Sequence, residues 1–102
     1  MILITGTIVV EDEAEAARVR DALADRSRRS RQDAGCLDYA FSQSLEDPCE
    51  FRLTEKWATQ EDLDAHLAIP DPEFFELLGT ARIASALVTA AEADGEREMM
   101  RR

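Results

Sequence analysis

The chain has 102 residues, of which 45% are hydrophobic and 33% charged, so it can form one folded domain but not two separate cores. Its formal net charge of −10 argues against nucleic acid or an anionic membrane as a partner, because both attract basic proteins. The amino-terminal apolar run lacks a basic lead and is too short to span a membrane. A cytoplasmic location is therefore expected.

The first two elements are predicted to be a strand and a helix. The segment 2–10 is rich in β-branched residues, which predicts a strand covered on both faces. Gly6 at its centre indicates a bulge or a close approach of another segment. From Asp12 to about Gln32, three apolar residues at helical spacing predict an inward-facing stripe: Ala16, Val19 and Leu23. The basic run from Arg26 to Arg31 is interpreted as a solvated helix end, with an anion-binding patch as the alternative.

Two alternating segments follow, at about 36–45 and 50–58, and they predict a hairpin that turns near Asp47. One face of the first carries Leu37, Tyr39, Phe41 and Leu45, and one face of the second carries Phe51, Leu53, Glu55 and Trp57. Pairing about Asp47 places Leu37 opposite Trp57, Tyr39 opposite Glu55, and Phe41 opposite Leu53. Cys36 and Cys49 then lie at opposite ends of the hairpin, so both are expected to be free.

The last third predicts two short helices and a strand. Thr59 followed by Asp62 is typical of a helix start, and His66 falls on the apolar stripe of that helix with Leu63 and Leu67. Asp71-Pro72 starts another helix, whose apolar face carries Phe74, Phe75 and Leu78. Residues from about 85 to 91 predict the final strand. We expect one domain over residues 1–93 and a polar tail over 94–102.

The predicted order is strand, helix, strand, strand, helices, strand. This βαββαβ order is that of ferredoxin-like α+β domains, which have a four-stranded antiparallel sheet with helices on one face. The first strand is apolar on both sides, so the uncovered sheet face needs a partner. A homodimer that closes through this sheet face is the expected solution.

Several motifs together resemble the antibiotic biosynthesis monooxygenase (ABM) family. They are SRQDAGCLDYAF at 30–41, Asp47-Pro48, Phe51, the Glu-Lys-Trp of 55–57 and LDAHL at 63–67. The resemblance implies a dimeric α+β barrel with a ligand cleft between sheet and helices in each subunit. Members include cofactor-independent oxygenases that convert phenols or hydroquinones into quinones, quinol oxidases and haem-degrading enzymes.

The sequence departs from the pattern of the haem-degrading members of the family, so haem degradation is disfavoured. They use an Asn from the first strand, a Trp on the helix after the third strand and a His about ten residues beyond it. This chain contains no Asn, and His66 lies where those members carry Trp. Phe75 or Glu76 lies where their His would be.

Oxygenation without a cofactor needs a base, a donor for the oxyanion and a dry aromatic cleft. We predict His66 as the base, with Glu55 and Tyr39 as its catalytic partners. The predicted walls of the substrate site are aromatic or aliphatic: Trp57, Phe41, Phe51, Phe74, Phe75 and Leu78. No metal or other cofactor is expected, since two cysteines alone make no metal site.

Structural roles are open for the same residues. His66 could anchor its helix through Glu55 or a backbone carbonyl, and Trp57 could be a core residue. Tyr39 and Glu55 could form a cross-strand hydrogen bond. Glu55 needs some partner in any case, because an unpaired buried carboxylate is costly.

Two hypotheses of different classes follow. The first is a homodimeric, cofactor-independent monooxygenase or quinol oxidase that acts on a planar aromatic molecule. The second is a non-catalytic domain that binds a small molecule or is stress-related. The second hypothesis predicts a filled cleft, well under the ~300 Å³ typical of ligand sites, and a His66–Glu55 pair. Binding of haem is a third and weaker hypothesis.

Overall fold

The computed structural model describes all 102 residues, and the chain forms four strands and three helices joined by loops. In chain order they are β1 (Ile2–Val10), α1 (Glu13–Ser30), β2 (Cys36–Gln43), β3 (Glu50–Trp57), α2 (Gln60–Leu67), α3 (Pro72–Thr80) and β4 (Ile83–Glu92). The strands form one antiparallel sheet in the order β2-β3-β1-β4. The predicted ferredoxin-like α+β fold is confirmed. β1 has the predicted bounds, and β4 begins earlier than predicted.

Helix α1 begins where the sequence predicts. Asp12 is the N-cap, and its side chain accepts a hydrogen bond from the backbone N–H of Glu15 at 2.8 Å. The predicted apolar stripe is buried against the sheet: Ala16, Val19 and Leu23. This stripe forms a core cluster together with Phe51 of β3 and Phe74 of α3.

The carboxyl-terminal half of α1 corrects the interpretation of the basic run. Arg26, Ser27 and Ser30 are buried, whereas Arg28 and Arg29 are exposed. The Ser27 hydroxyl donates to the carbonyl of Leu23 and accepts from the N–H of Phe41, each at 2.9 Å. This second bond joins α1 to β2 and keeps the helix end on the sheet. The predicted solvated terminus is therefore wrong for Arg26.

The hairpin register is confirmed from Tyr39 to Gln43 and is wrong only at the Cys36 end. Tyr39 pairs with Glu55 and Phe41 with Leu53, as predicted. Between Cys36 and Asp38 the register shifts, so Cys36 and not Leu37 lies opposite Trp57. Leu37 is 60% exposed because the extra residue of this bulge turns it away from the core. β2 also ends before Leu45, which lies exposed in the turn.

Both cysteines are free. Each is partly buried, Cys36 beside the core at one end of the hairpin and Cys49 at the other.

The two short helices start at the predicted residues but differ in how they start. The Thr59 hydroxyl accepts from the N–H of Asp62 at 3.1 Å, which caps α2. Asp71 precedes Pro72 at the start of α3, yet its side chain makes no capping hydrogen bond. The Asp71 carboxylate instead binds Arg26 and Arg29 of α1. This ion pair ties α3 to α1.

Strand β4 lies at an edge of the sheet and is exposed along most of its length. Leu87 is 70% and Val88 51% exposed. A side chain on Gly6 would lie 2.8 Å from a methyl of Val88, so Gly6 permits the close approach that its position predicts. The bulge of β1 against β4 lies elsewhere, between Val9 and Val10.

After β4, the chain forms no further helix or strand. The first residue pairs with Ala93 through backbone hydrogen bonds of 2.9 and 2.8 Å. None of the three helices combines the length and apolar character that a bilayer crossing requires.

Gly35 positions the helix that carries His66, and replacing it tests this packing. Gly35 has φ +77°, and an added Cβ would lie 2.1 Å from the Asp62 carboxyl of α2. We expect Gly35→Ala to lower the free energy of unfolding by about 2–4 kcal/mol, from backbone strain and displacement of α2. Gly95→Ala is the matched control, because Gly95 also has a positive φ (+68°) but has no neighbour within 4 Å of the added atom. Urea unfolding followed by circular dichroism measures both variants, and equal losses would contradict the packing argument.

Candidate active site

One buried cluster contains the Tyr, the Trp and the His that each occur once in the chain. Tyr39 of β2, Glu55 and Trp57 of β3, and His66 of α2 are each at most 6% exposed. The imidazole of His66 lies against the indole of Trp57, with ring centroids 4.5 Å apart and planes 31° apart. The Tyr39 ring lies edge-on to His66 at 5.7 Å. The hairpin and α2 thus bring these four residues together, and their catalytic roles stay predictions.

His66 is held at both of its ring nitrogens. Nδ1 lies 2.7 Å from a carboxylate oxygen of Asp33, and Nε2 lies 3.2 Å from Nη2 of Arg26. A carboxylate can only accept and a guanidinium can only donate, so Nδ1 carries the proton and Nε2 accepts. The neutral tautomer alone satisfies both partners. Neither a His66–Glu55 bond nor a bond from the ring to a backbone carbonyl is present, so both predicted anchors are wrong.

Glu55 is paired with the adjacent indole. Trp57 Nε1 donates to Glu55 Oε1 at 2.8 Å in the buried interior. Burial raises the pKa of Glu55 above its ordinary value of 4.5, and the hydrogen bond from Trp57 opposes this only in part. The partner that this carboxylate was predicted to need is therefore Trp57.

Tyr39 lies opposite Glu55 but does not hydrogen-bond to it. Burial, followed by the charge of Glu55, raises the pKa of the Tyr39 hydroxyl above 10.0. The nearby Arg26 and Ser30 lower this pKa, but by less. The hydroxyl is consequently protonated at neutral pH and is available as a donor.

The raised pKa of Glu55 predicts how its amide analogue changes the pH dependence of stability. A carboxyl whose pKa is higher in the folded than in the unfolded chain loses stabilisation as pH rises above the unfolded value, near 4.5. Glu55→Gln keeps an oxygen for Trp57 Nε1 and removes the charge. We expect the variant to unfold at higher urea concentration than the wild type at pH 7, with the difference shrinking towards pH 4. A constant difference at every pH would show that ionisation of Glu55 is not its cause.

Arg26 joins this cluster from α1, although the predicted catalytic and substrate-binding residues did not include it. Its Nη1 donates to Asp71 at 2.8 Å, and its guanidinium lies 5.0 Å from the ring centroid of Phe74 and 5.5 Å from that of Phe75. A signal was present in the helical spacing. Arg26 follows Leu23 by three positions and Val19 by seven, which places it on the buried stripe.

Arg26 and Arg29 of α1 balance the negative charge of the Asp71 carboxylate. Burial by itself would raise the pKa of Asp71, but the hydrogen bonds from Arg29 and Arg26 outweigh it, so the pKa is lowered. The Arg29 contact is 3.0 Å long. Asp71 is therefore charged at neutral pH, and Arg26 has a permanent counter-ion.

The predicted walls of the substrate site differ in exposure. Phe51 and Phe74 are buried, Phe41 and Leu78 are half-buried, and Phe75 is 53% exposed. A void of about 10 Å³ lies between sheet and helices and is lined in part by Phe51 and Leu78, but it does not reach the cluster around His66. This volume is far below the ~300 Å³ typical of ligand sites. A ligand therefore requires displacement of side chains, and Phe75 is the least buried of the six.

The side chains of this site supply acid–base and hydrogen-bonding groups. No three His, Cys, Asp or Glu side chains lie together in a way that could hold a metal ion. The cluster offers an acceptor nitrogen on His66, a donor hydroxyl on Tyr39 and the guanidinium of Arg26. Together with the indole, these groups suit an aromatic ligand that carries an ionisable oxygen.

The fold and this enclosed imidazole cluster define a ferredoxin-like α+β domain with a candidate acid–base site. The family model described as antibiotic biosynthesis monooxygenase matches residues 1–71, and the chain belongs to this ABM family. No protein of curated function matches the chain.

Solved structures agree with this assignment. The chain is 31% identical to a Deinococcus radiodurans protein that carries the provisional name of antibiotic biosynthesis monooxygenase, with a TM-score of 0.86 and coverage of 98% of this chain and 99% of that one. A Nitrosomonas europaea protein with the same provisional name is 18% identical, with a TM-score of 0.81 and coverage of 91% and 98%. A Bacteroides thetaiotaomicron protein of unknown function, named a possible oxidoreductase, is 20% identical, with a TM-score of 0.71 and coverage of 90% and 97%. The last two show the fold alone.

Proposed function

We propose that this protein is a cofactor-independent monooxygenase or quinol oxidase that acts on a planar phenol or hydroquinone. One observation carries the proposal: His66 is buried against Trp57, and Asp33 holds it in the tautomer whose Nε2 can accept a proton. A base in this position is suited to deprotonating a phenol that stacks among aromatic side chains. Membership of the ABM family and the monooxygenase names of similar structures also support the proposal.

The proposed chemistry uses O₂ as the oxidant. His66 Nε2 takes the phenolic proton, and the resulting phenolate gives electrons to O₂ more readily than the neutral phenol. In the monooxygenase reaction, an anthrone and O₂ form an anthraquinone and one water, so one oxygen atom enters the ring system and the other is reduced. In the oxidase reaction, a hydroquinone loses two electrons and two protons, and O₂ becomes H₂O₂. Tyr39 would donate a hydrogen bond to the developing oxyanion.

An oxygen electrode with a panel of anthrones and hydroquinones tests this function. We expect O₂ uptake that requires the protein, with either water or H₂O₂ as the reduced product. Catalase distinguishes the two, because it returns half of the O₂ consumed only when H₂O₂ is formed. Absence of protein-dependent uptake with every compound of the panel would contradict the proposal.

A homodimer through the uncovered sheet face is part of the proposal. On this face Leu87 is 70% exposed beside a groove of about 330 Å³ that is also lined by Thr5, Thr7, Arg52, Thr54 and Thr89. A second subunit would cover Leu87 on this face and close the barrel.

The mass in solution tests the assembly. We expect a dimer by light scattering for the wild type and a monomer for Leu87→Lys, because the new charge would be buried at the interface. Leu45→Lys is the matched control, since Leu45 is fully exposed in the hairpin turn and does not line this groove. A monomeric wild type would contradict the proposed dimer.

The void of about 10 Å³ is too small for a ligand as it stands, which favours a second candidate, a non-catalytic small-molecule-binding or stress-related domain. This candidate predicts no O₂ uptake, and any aromatic compound that binds must displace side chains. The second candidate predicted a His66–Glu55 pair, but His66 pairs with Asp33 and Glu55 pairs with Trp57. Binding measured without turnover across the whole panel would select it over the oxygenase.

A further inference from the structure

Arg26 has hydrogen-bonding capacity that the folded chain does not use. Its side chain is only 6% exposed, yet its Nε has no hydrogen-bond partner. The hydroxyl of Ser30, one turn further along α1, is also buried and unpaired. Buried polar atoms without partners are uncommon and costly. Two of them on one helix face, beside the Tyr39 hydroxyl, mark a place where a further oxygen atom would be stabilised.

The same guanidinium already has aromatic rings over its face. Phe74 and Phe75 lie 5.0 and 5.5 Å from it, and Phe75 is 53% exposed. A planar ligand that displaced the Phe75 ring would keep the cation–π contact and bring its own oxygen within reach of the guanidinium. Arg26 therefore suits a ligand that is both aromatic and anionic.

Arg26 also hydrogen-bonds to Nε2 of His66, the nitrogen that must accept the proton in the proposed reaction. Nη2 lies 3.2 Å from His66 Nε2, so the acceptor of the imidazole is already taken. As long as this bond persists, His66 cannot accept a proton from a phenol. Release of Nε2 requires that the guanidinium finds another acceptor.

The geometry points to Arg26 as a further catalytic residue, which binds the ionised oxygen of an aromatic ligand and in doing so frees His66 Nε2. This inference rests on the proposed function. The step is an acid–base exchange without redox change: the ligand O–H bond breaks, an N–H bond forms on His66, and the guanidinium pairs with the new oxyanion. Asp71 holds the other side of the guanidinium at 2.8 Å throughout.

Other charged and titratable groups face Arg26 from every neighbouring element. They are Arg29 on α1, Asp33 after α1, Tyr39 on β2, Glu55 on β3, His66 on α2 and Asp71 before α3. Asp71 is charged at neutral pH and Tyr39 is neutral. Asp33 hydrogen-bonds to the imidazole of His66 rather than to Arg26 itself. A bound phenolate would therefore add its charge beside the one buried guanidinium of the site.

Binding of 4-nitrophenol and of its methyl ether, 4-nitroanisole, tests this inference without turnover. The two rings are alike, but only the phenol can ionise, and it does so near neutral pH. We expect calorimetry at pH 8 to show at least tenfold tighter binding of the phenol by the wild type. The visible absorbance of the bound phenol should show its pKa lowered by about one unit or more, as beside an opposite charge. Equal binding of the two compounds, or binding of neither, would overturn the inference.

Variants of two arginines on α1 complete the test. Arg26→Gln should bind both compounds equally. Arg28→Gln should behave as the wild type, because the Arg28 side chain is 63% exposed and pairs only weakly with Asp25 at 3.8 Å. If Arg26→Gln does not fold, Arg26→Lys replaces it and should lose at least threefold of the preference for the phenol, since an ammonium lacks the planar fork. A preference unchanged in the Arg26 variant would overturn the inference.

Failure of this inference and failure of the proposed function give different results. A preference for the phenol that depends on Arg26, without O₂ uptake, would support the anion site and contradict the oxygenase function. O₂ uptake with no such preference would support the oxygenase function and contradict the role of Arg26.

Discussion

Replacing His66 with glutamine is expected to slow the oxidation of hydroquinones or anthrones by about 10²–10⁴-fold in kcat, the usual contribution of a general base. The glutamine oxygen can accept from Arg26 and its amide nitrogen can donate to Asp33, so both contacts of the imidazole have a counterpart. The amide cannot take a proton at neutral pH. The variant therefore removes the proposed base and leaves the hydrogen-bonding pattern of the cluster in place.

Steady-state O₂ uptake measures this loss, and circular dichroism shows whether the variant is folded. Glu61→Gln is the matched control, because Glu61 is an exposed residue in the first turn of the same helix. We expect it to keep wild-type turnover. Full turnover by His66→Gln would exclude His66 as the base, whatever the substrate.

The second large effect is expected at Trp57, where alanine should lower the free energy of unfolding by about 3–5 kcal/mol. The indole is completely buried, contacts the imidazole of His66 and donates to Glu55. Its removal leaves a cavity and also a buried carboxylate without its donor. Since small domains are stable by only about 5–15 kcal/mol, this loss is a large share of the total.

Urea unfolding followed by circular dichroism measures this effect, because Trp57 is the only tryptophan and fluorescence is lost with it. Trp57→Phe keeps a ring against His66 but cannot donate to Glu55, so its loss should be smaller than that of the alanine variant. Leu45→Ala is the surface control and should change stability by at most about 0.5 kcal/mol. If Trp57→Ala were as stable as Leu45→Ala, the indole would not be part of the core.

The centre of the hairpin was predictable because alternation along a strand has only two phases. A shift by one residue would turn Phe41 and Leu53 out of the core, so the apolar pattern selects one register. The bulge at Leu37 was not predictable in this way. An extra residue beside the end of a strand leaves the alternation of the other residues unchanged.

The position of His66 beside Trp57 was predicted, but its hydrogen-bond partners were not. Its position on the apolar stripe of α2 placed it near Trp57, because the period of a helix is regular. Its partners, Asp33 and Arg26, lie 33 and 40 residues away along the chain. No local periodicity relates residues at such separations. Only the packing of α1 and the loop after it against α2 brings them to the ring.

The sequence by itself determined the order of elements, the ferredoxin-like fold, the resemblance to the ABM family and the face on which Tyr39, Glu55 and Trp57 lie. These follow from short-range periods, from capping residues and from motifs that can be read along the chain. The tertiary structure alone decided that Asp71 pairs with Arg26 and that His66 has its acceptor nitrogen occupied. The physical reason is that a buried charge is stable only where distant segments supply its counter-charge and hydrogen bonds, and such pairing depends on packing in three dimensions.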